Sequence, residues 1–462
     1  MSSIVTTGST NHKPRPQPDT DRASHPGQVP RRWALSRRAW LRLLLVSLAT
    51  ALLLQGAWRP PADPLRLAIA TATAGQRFDL ATWTVNSVAG KLEDVVSQPA
   101  ASLGEEEATQ MVAAWLQQAQ RASLLSDEIE RTYADPVVTD AAAITAPQRA
   151  ELATLRQQLS AEASTVEAIL EQQLTALVEA EGLTTAGLVW PPVRMRFSEP
   201  PHMLVVSPRE RIERLATIDL QPDMDSADRA ALEQAIAQDT HLSAYVTGTG
   251  GYGVYPTMVI DRYGLPWTLD TIAHEWIHNY LAFRRLGWAM LEGGESVTIN
   301  ETVASIAGEE LGRALLARHY PDLLTPPALP VQTPDEAEAP LGEPQLFEFG
   351  PQMRATRLVV DALLADGYVE EAEAFMEARR QTFAENGYLL RVLNQAYFAF
   401  HGSYATGAAA SDPIGPKLVQ LRELSPSLQA FLQTVEQITS AAELDAALAA
   451  LQAAQAQPAA AP

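Results

Sequence analysis

The stretch that decides the reading is Thr268-Leu269-Asp270-Thr271-Ile272-Ala273-His274-Glu275-Trp276-Ile277-His278-Asn279-Tyr280. Leu269, Ile272, Trp276 and Tyr280 recur at three- and four-residue steps, which predicts a helix with one apolar face, and Thr268 can cap its start. Residues i and i+4 of a helix face the same way, so both imidazoles reach one point while Glu275 stands beside the first. The bland alternative is a pair of satisfied histidines on an ordinary surface helix. With 8 His in 462 residues, random order would give this His-Glu-x-x-His pattern at roughly 0.01 per chain, so accident is a weak competitor.

Two such imidazoles fit a metal cation that keeps one coordination position open. The chain has no cysteine, so a third ligand must be His or a carboxylate. The same absence removes disulfide frameworks, thiolate nucleophiles and Cys-containing zinc fingers. Downstream histidines are only His319 and His401, and position 284, six residues past the second motif histidine, is Arg. Glu301 stands in Asn300-Glu301-Thr302-Val303-Ala304 at the start of another helical pattern, with 22 residues between it and His278. That length allows the chain to turn through Gly287 and Gly293-Gly294 and return antiparallel. Glu292 and Glu295 are rivals, although their glycine-rich turn favours solvation.

The sequence His-Glu-Trp-Ile-His followed by Asn-Glu-Thr-Val-Ala on the next helix resembles the gluzincin metallopeptidases, the thermolysin-like and aminopeptidase-like zincins. The resemblance covers about 60 residues and the small sheet before them. It implies that His274, His278 and Glu301 bind Zn2+, that Glu275 is the general base, and that the substrate is a peptide or protein. It also implies an oxyanion donor from the C-terminal part, for which Phe400-His401-Gly402-Ser403-Tyr404 offers His401 or Tyr404. Both could equally pack structurally; Tyr252 and Tyr255 are lesser candidates. In the family an extended substrate lies along an edge strand, and Gly250-Gly251-Tyr252-Gly253 would permit that approach or merely turn a hairpin. One departure is Ser305, where many gluzincins carry an Asp that orients a zinc histidine. Glu309 or a backbone carbonyl would have to take over. Two other functions compete: a non-catalytic envelope protein with a structural or relic zinc site, and a zinc hydrolase of non-peptide amides.

Outward from this motif, short β-type runs at 193–197, 203–207 and 215–220 precede a helix at 226–238. Two further runs at 244–247 and 254–260 are joined through Gly248-Thr249-Gly250-Gly251, giving a small mixed or antiparallel sheet. Residues 103–182 read as helical. There Leu152, Leu155, Leu159, Val166, Leu170, Leu174 and Leu177 mark one long amphipathic helix, whose face is a core face or, less simply, a dimerising coiled coil. Helices follow at 353–365, 369–385 and 389–400, with one or two more beyond. The expected class is α+β, mainly helical, the sheet packed on the active-site helix pair.

The N-terminus differs from the rest. Through Arg66 there are ten Lys/Arg against three Asp, so the remainder carries more than the whole chain's net charge of −21. Such an acidic body excludes a general nucleic-acid binder, since phosphate neutralisation needs clustered cations. An apolar run at 43–57 follows Ser36-Arg37-Arg38-Ala39-Trp40-Leu41-Arg42. Basic residues on that side predict a cytoplasmic N-terminus, a single transmembrane signal anchor and an extracytoplasmic catalytic domain at the cell membrane, or a secreted one if a twin-arginine-like signal is cleaved. The expected organisation is a disordered basic tail (1–36), the transmembrane anchor (37–58), a helical region (59–185), the zincin-like core (186–320), a Pro-rich acidic loop (321–350), a helical subdomain (351–451) and a disordered tail (452–462). Lysine occurs only at Lys13, Lys91 and Lys417. Oligomeric state has no signature here.

Overall fold

The computed structural model describes residues 64–134, 138, 140–323, 347–404 and 413–456. The expected tail and anchor (1–58), most of the 321–350 loop and the last residues of the C-terminal tail lie outside the described residues. No helix among the described residues is long and apolar enough to cross a membrane.

The structure is mainly helical with small sheets. Among the described residues five helices come first: α1 (Pro64–Ala72), α2 (Leu80–Ser97), α3 (Glu105–Ala134), α4 (Ala141–Ile144) and α5 (Ala146–Ala180). Strands β1 (Met195–Phe197), β2 (His202–Ser207) and β3 (Ala216–Leu220) lead into α6 (Ser226–Thr240), then β4 (Ser243–Thr247), β5 (Gly251–Tyr252) and β6 (Thr257–Val259). The motif helix α7 (Leu265–Leu281), the short α8 (Arg285–Ala289) and α9 (Glu295–His319) follow. Last come α10 (Phe349–Ala365), α11 (Val369–Glu385), α12 (Gln395–His401), α13 (Ile414–Leu424), α14 (Leu428–Val435) and α15 (Ala441–Ala456).

Three expectations are corrected. The motif helix begins at Leu265 with Gly264 as its cap and Pro266 in the first turn, and Thr268 lies inside it, donating back to Gly264 O (3.2 Å). The C-terminal part has three helices after residue 413, the last reaching Ala456 rather than ending at 451. The strands form two three-stranded sheets, not one. The order β3-β2-β4 is fully antiparallel, whereas β1-β6-β5 pairs β1 parallel and β5 antiparallel to β6.

Side chains explain why β6 does not continue the first sheet. The outer edge of β4 is already occupied: Val246 N donates to Glu233 Oε1 (2.6 Å), Arg391 Nη2 donates to Val246 O (2.8 Å), and Asn394 Nδ2 to Ala244 O (2.9 Å). Edge groups satisfied this way cannot pair with another strand. Arg391 also holds Glu233 in an ion pair. Because residues 391–394 serve this edge, the helix expected from 389 starts only at Gln395, capped by Asn394, which accepts from Tyr397 N.

The outer edge of β1 is closed by the same device. Met195 N and Phe197 N donate to Glu171 Oε1 (3.0 Å) and Glu167 Oε1 (2.8 Å) of α5, and Lys91 Nζ lies 2.7 Å from Glu167 and 2.9 Å from Glu171. All three charged side chains are buried. On β3, Phe78 N and Gln76 O bond Asp219 O and Gln221 N across its outer side. Among the described residues, no strand pairs with the outer edge of β5.

The apolar face of α5 packs on α3 within the chain, so its leucines form core rather than a dimer seam. That core runs through Trp115, Leu174, Trp276, Ile277, Val303 and Leu311 to Leu421 and Phe431. Residues 59–462 cluster as one compact unit. Burying Trp276 requires a partner for its indole N–H, which donates to Pro191 O (3.1 Å).

Candidate metal centre

Helices α7 and α9 approach closely because α9 presents glycines to α7. A Cβ at Gly308 would come within 2.9 Å of the His274 N and Cα atoms, and one at Gly312 within 2.7 Å of Asp270 N. The pairs 312 with 270, 308 with 274 and 300 with 278 run in opposite directions, so the helices are antiparallel. This seam carries Glu301 to the histidines.

His274 Nε2 and His278 Nε2 are 3.0 Å apart, and Glu301 Oε2 lies 3.8 Å from the first and 3.5 Å from the second. A tetrahedral ion with arms of about 2.0–2.1 Å separates its ligand atoms by about 3.3–3.4 Å. The three observed edges bracket that value, and these residues can hold a metal ion. His278 Nδ1 donates to Asn300 Oδ1 (2.7 Å), which fixes the ring with Nε2 toward the point it shares with His274 and Glu301. For His278 this contact comes from neither Glu309 nor a backbone carbonyl. The amide comes from the residue before the ligand Glu, while Ser305 Oγ donates to Glu301 O (2.9 Å). Glu292 is exposed, and Glu295 accepts from Ala441 N (2.8 Å).

Charges in the site are coupled. Burial alone would pull His278 down, but Glu301, Glu275 and the Asn300 bond outweigh it and raise its pKa to about 9. Burial opposes the charge on Glu301 as well, and the two histidines overcome it, holding the carboxyl well below the usual range. Glu275 goes the other way: burial raises it, with His274 and His278 only partly offsetting that effect.

Glu275 lies under β5. A Cβ at Gly251 would sit 2.7 Å from Glu275 Cγ and 2.9 Å from its Cδ; one at Gly253 would meet His278 Cβ at 2.9 Å. Glycines here bring the strand onto the motif helix. Asn279 fastens the following turn, its Nδ2 donating to Val254 O (3.1 Å) and Thr257 Oγ1 (2.9 Å). Ile260 N donates to Gly250 O, so strand alternation turns the N–H and C=O of Gly251 away from β6 toward the free edge.

The two C-terminal candidates separate. Tyr404 belongs to the site: the charge of Glu301 first, then burial, then Glu275 raise its hydroxyl well above the ordinary tyrosine value. His401 turns instead into an aromatic cluster, its Nε2 3.4 Å from Tyr245 Oη and its ring 4.2 Å from that of Tyr397, and burial lowers its pKa to about 4. Tyr252 donates to Asp219 Oδ2 (2.6 Å), and Tyr255 is half-buried, its pKa pushed up to about 12 by desolvation. Asn279 and Asn300 were not singled out from the sequence. The only signal for the two asparagines was adjacency to a ligand residue.

No protein-family model, curated protein or solved structure matches this chain. The site is therefore read from its own geometry.

Proposed function

We propose that this protein is a zinc-dependent peptidase of gluzincin type, cleaving peptide bonds by attack of water. The observation that carries the reading is the convergence of His274, His278 and Glu301 while Glu275, on the same helical turn, lies under a free strand edge. Two imidazoles and one carboxylate are a donor set suited to catalytic zinc. Bound there, zinc would supply Lewis acidity, easing loss of a proton from water and polarising a carbonyl.

The rest belongs to the chain's own groups. Glu275 takes the proton of the attacking water, burial having raised its affinity for a proton, and returns it to the leaving amine. Tyr404, kept protonated by the carboxylates around it, donates to the developing oxyanion. The outward N–H and C=O of Gly251 pair with an extended substrate as a further antiparallel strand. The basic flank and apolar run at 37–58 support a membrane-tethered, extracytoplasmic setting.

Metal analysis together with a peptide-library digest tests this. Wild type should hold one equivalent of zinc and cleave. Glu275→Gln should keep the zinc and lose at least about 10²-fold in kcat, and His274→Ala should lose the metal. One equivalent of zinc with no cleavage of any peptide, or full turnover by Glu275→Gln, would overturn the proposal.

A further inference from the structure

Arg214 sits in the connection between β2 and β3. Its Nη2 donates to Ser403 Oγ (2.7 Å), the hydroxyl next to Tyr404, and its Cζ stands 5.7 Å from the centroid of the Phe400 ring, which in turn lies 5.9 Å from that of Tyr404. The guanidinium is close enough for its charge to act on the Tyr404 hydroxyl. Among the described residues Arg214 makes no ion pair, and its Nε is buried without a hydrogen-bond partner. Its neighbours differ: Arg209 is paired with Glu373 and Arg211 with Glu213. Half-buried beside the candidate site, Arg214 keeps donors that no carboxylate among the described residues uses. A planar fork with unused donors is matched by a carboxylate.

Resting on the peptidase reading, we propose that Arg214 is a specificity-determining residue that receives a substrate carboxylate, so that the preferred peptides carry a negative charge near the scissile bond. That charge can come from the peptide's own C-terminus or from an acidic side chain. Ser403 fixes one edge of the guanidinium and leaves the rest for the ligand. Because Ser403 and Tyr404 are consecutive, the same contact holds the carboxylate site in register with the oxyanion donor.

The test is binding to the full-length, zinc-loaded Glu275→Gln protein, measured by isothermal titration with matched peptides. One series compares a free C-terminus with an amide; the other replaces Glu by Gln at each position in turn, which tells the two sources apart. The charged member of at least one pair should bind about 10- to 100-fold more tightly. Adding Arg214→Gln should remove that advantage and leave the neutral member unchanged. Arg214→Glu should reverse the preference toward a Lys-containing peptide, and Arg214→Lys, which keeps the charge, should retain part of the advantage and confirm that the fold tolerates change there. Equal affinity for charged and neutral peptides, absence of binding, or equal weakening of both by Arg214→Gln would overturn the assignment; the last result would reduce Arg214 to a prop for Ser403. The peptidase reading fails by a different result: wild type that binds a peptide and never cleaves it.

Discussion

Gly251 shows what a single missing carbon does. Its φ is not in the left-handed region, so it is required for space rather than for backbone freedom. An added Cβ would collide with the Glu275 carboxylate, the far end of a flexible side chain, so the fold can absorb Gly251→Ala while the base cannot keep its place. We expect Gly251→Ala to keep one equivalent of zinc and nearly the same unfolding midpoint, and to lose about 10²-fold in kcat; undiminished turnover would show that Glu275 does not act from this position. His274, Glu275 and His278 were legible in the sequence because helical spacing alone carries their convergence, whereas Glu301 was legible from the length of the return to the next helix and from the family resemblance. The choice between His401 and Tyr404 was not. They are three residues apart at the end of α12, and the turn at Gly402-Ser403 sends one into the Tyr245–Tyr397 cluster and the other toward Glu301. Asn300 was on the page as part of the ligand motif, yet its bond to His278 exists only once α9 lies against α7.

At the scale of elements, two sheet edges are closed by helix carboxylates rather than by more strands. Glu233, secured by Arg391, serves β4; Glu167 and Glu171, secured by Lys91, serve β1. Burial raises the Glu167 carboxyl despite Lys91, which marks the charge as costly to keep there. Lys91→Met would remove the cation the two buried carboxylates share, leaving Glu171 only Arg194 (3.1 Å) and Glu167 only the more distant Arg196 (4.0 Å). It should lower unfolding free energy by about 3–5 kcal/mol, read by urea denaturation. A change below about 1 kcal/mol would mean that the carboxylates reach water or other cations. The sequence hid this arrangement because Glu at a four-residue step on a leucine-rich helix reads as a solvated border of the apolar face. It also led to one sheet where there are two, since β propensity marks strands but not which edges are taken.

For the whole molecule, the candidate metal ligands belong to helices that share their core with α3, α5, α13 and α14. Metal binding should therefore stabilise this entire core rather than a local loop. At a free zinc concentration near 100 Kd, calorimetry should show a gain of about 2.7 kcal/mol over the chelator-treated protein. Glu301→Ala should abolish the gain at that concentration; an unchanged gain would place the ion elsewhere. The helical character and the amphipathic α5 were readable from periodicity, whereas the sharing of one core by segments far apart in sequence was not, because it depends on long-range packing. The glycine seam of Gly308 and Gly312 adds a last consequence. A one-residue slip rotates a helix by about 100°, enough to carry Glu301 out of reach, but the rotational phase of α9 is locked by the seam itself and not by the length of the connector that feeds it. Arg284, Arg285 and Leu286 are tied to Glu436, Glu443 and the core, so only the exposed turn at 291–294 is free to lengthen or shorten, like slack rope between two pinned beams, without detuning the candidate third ligand.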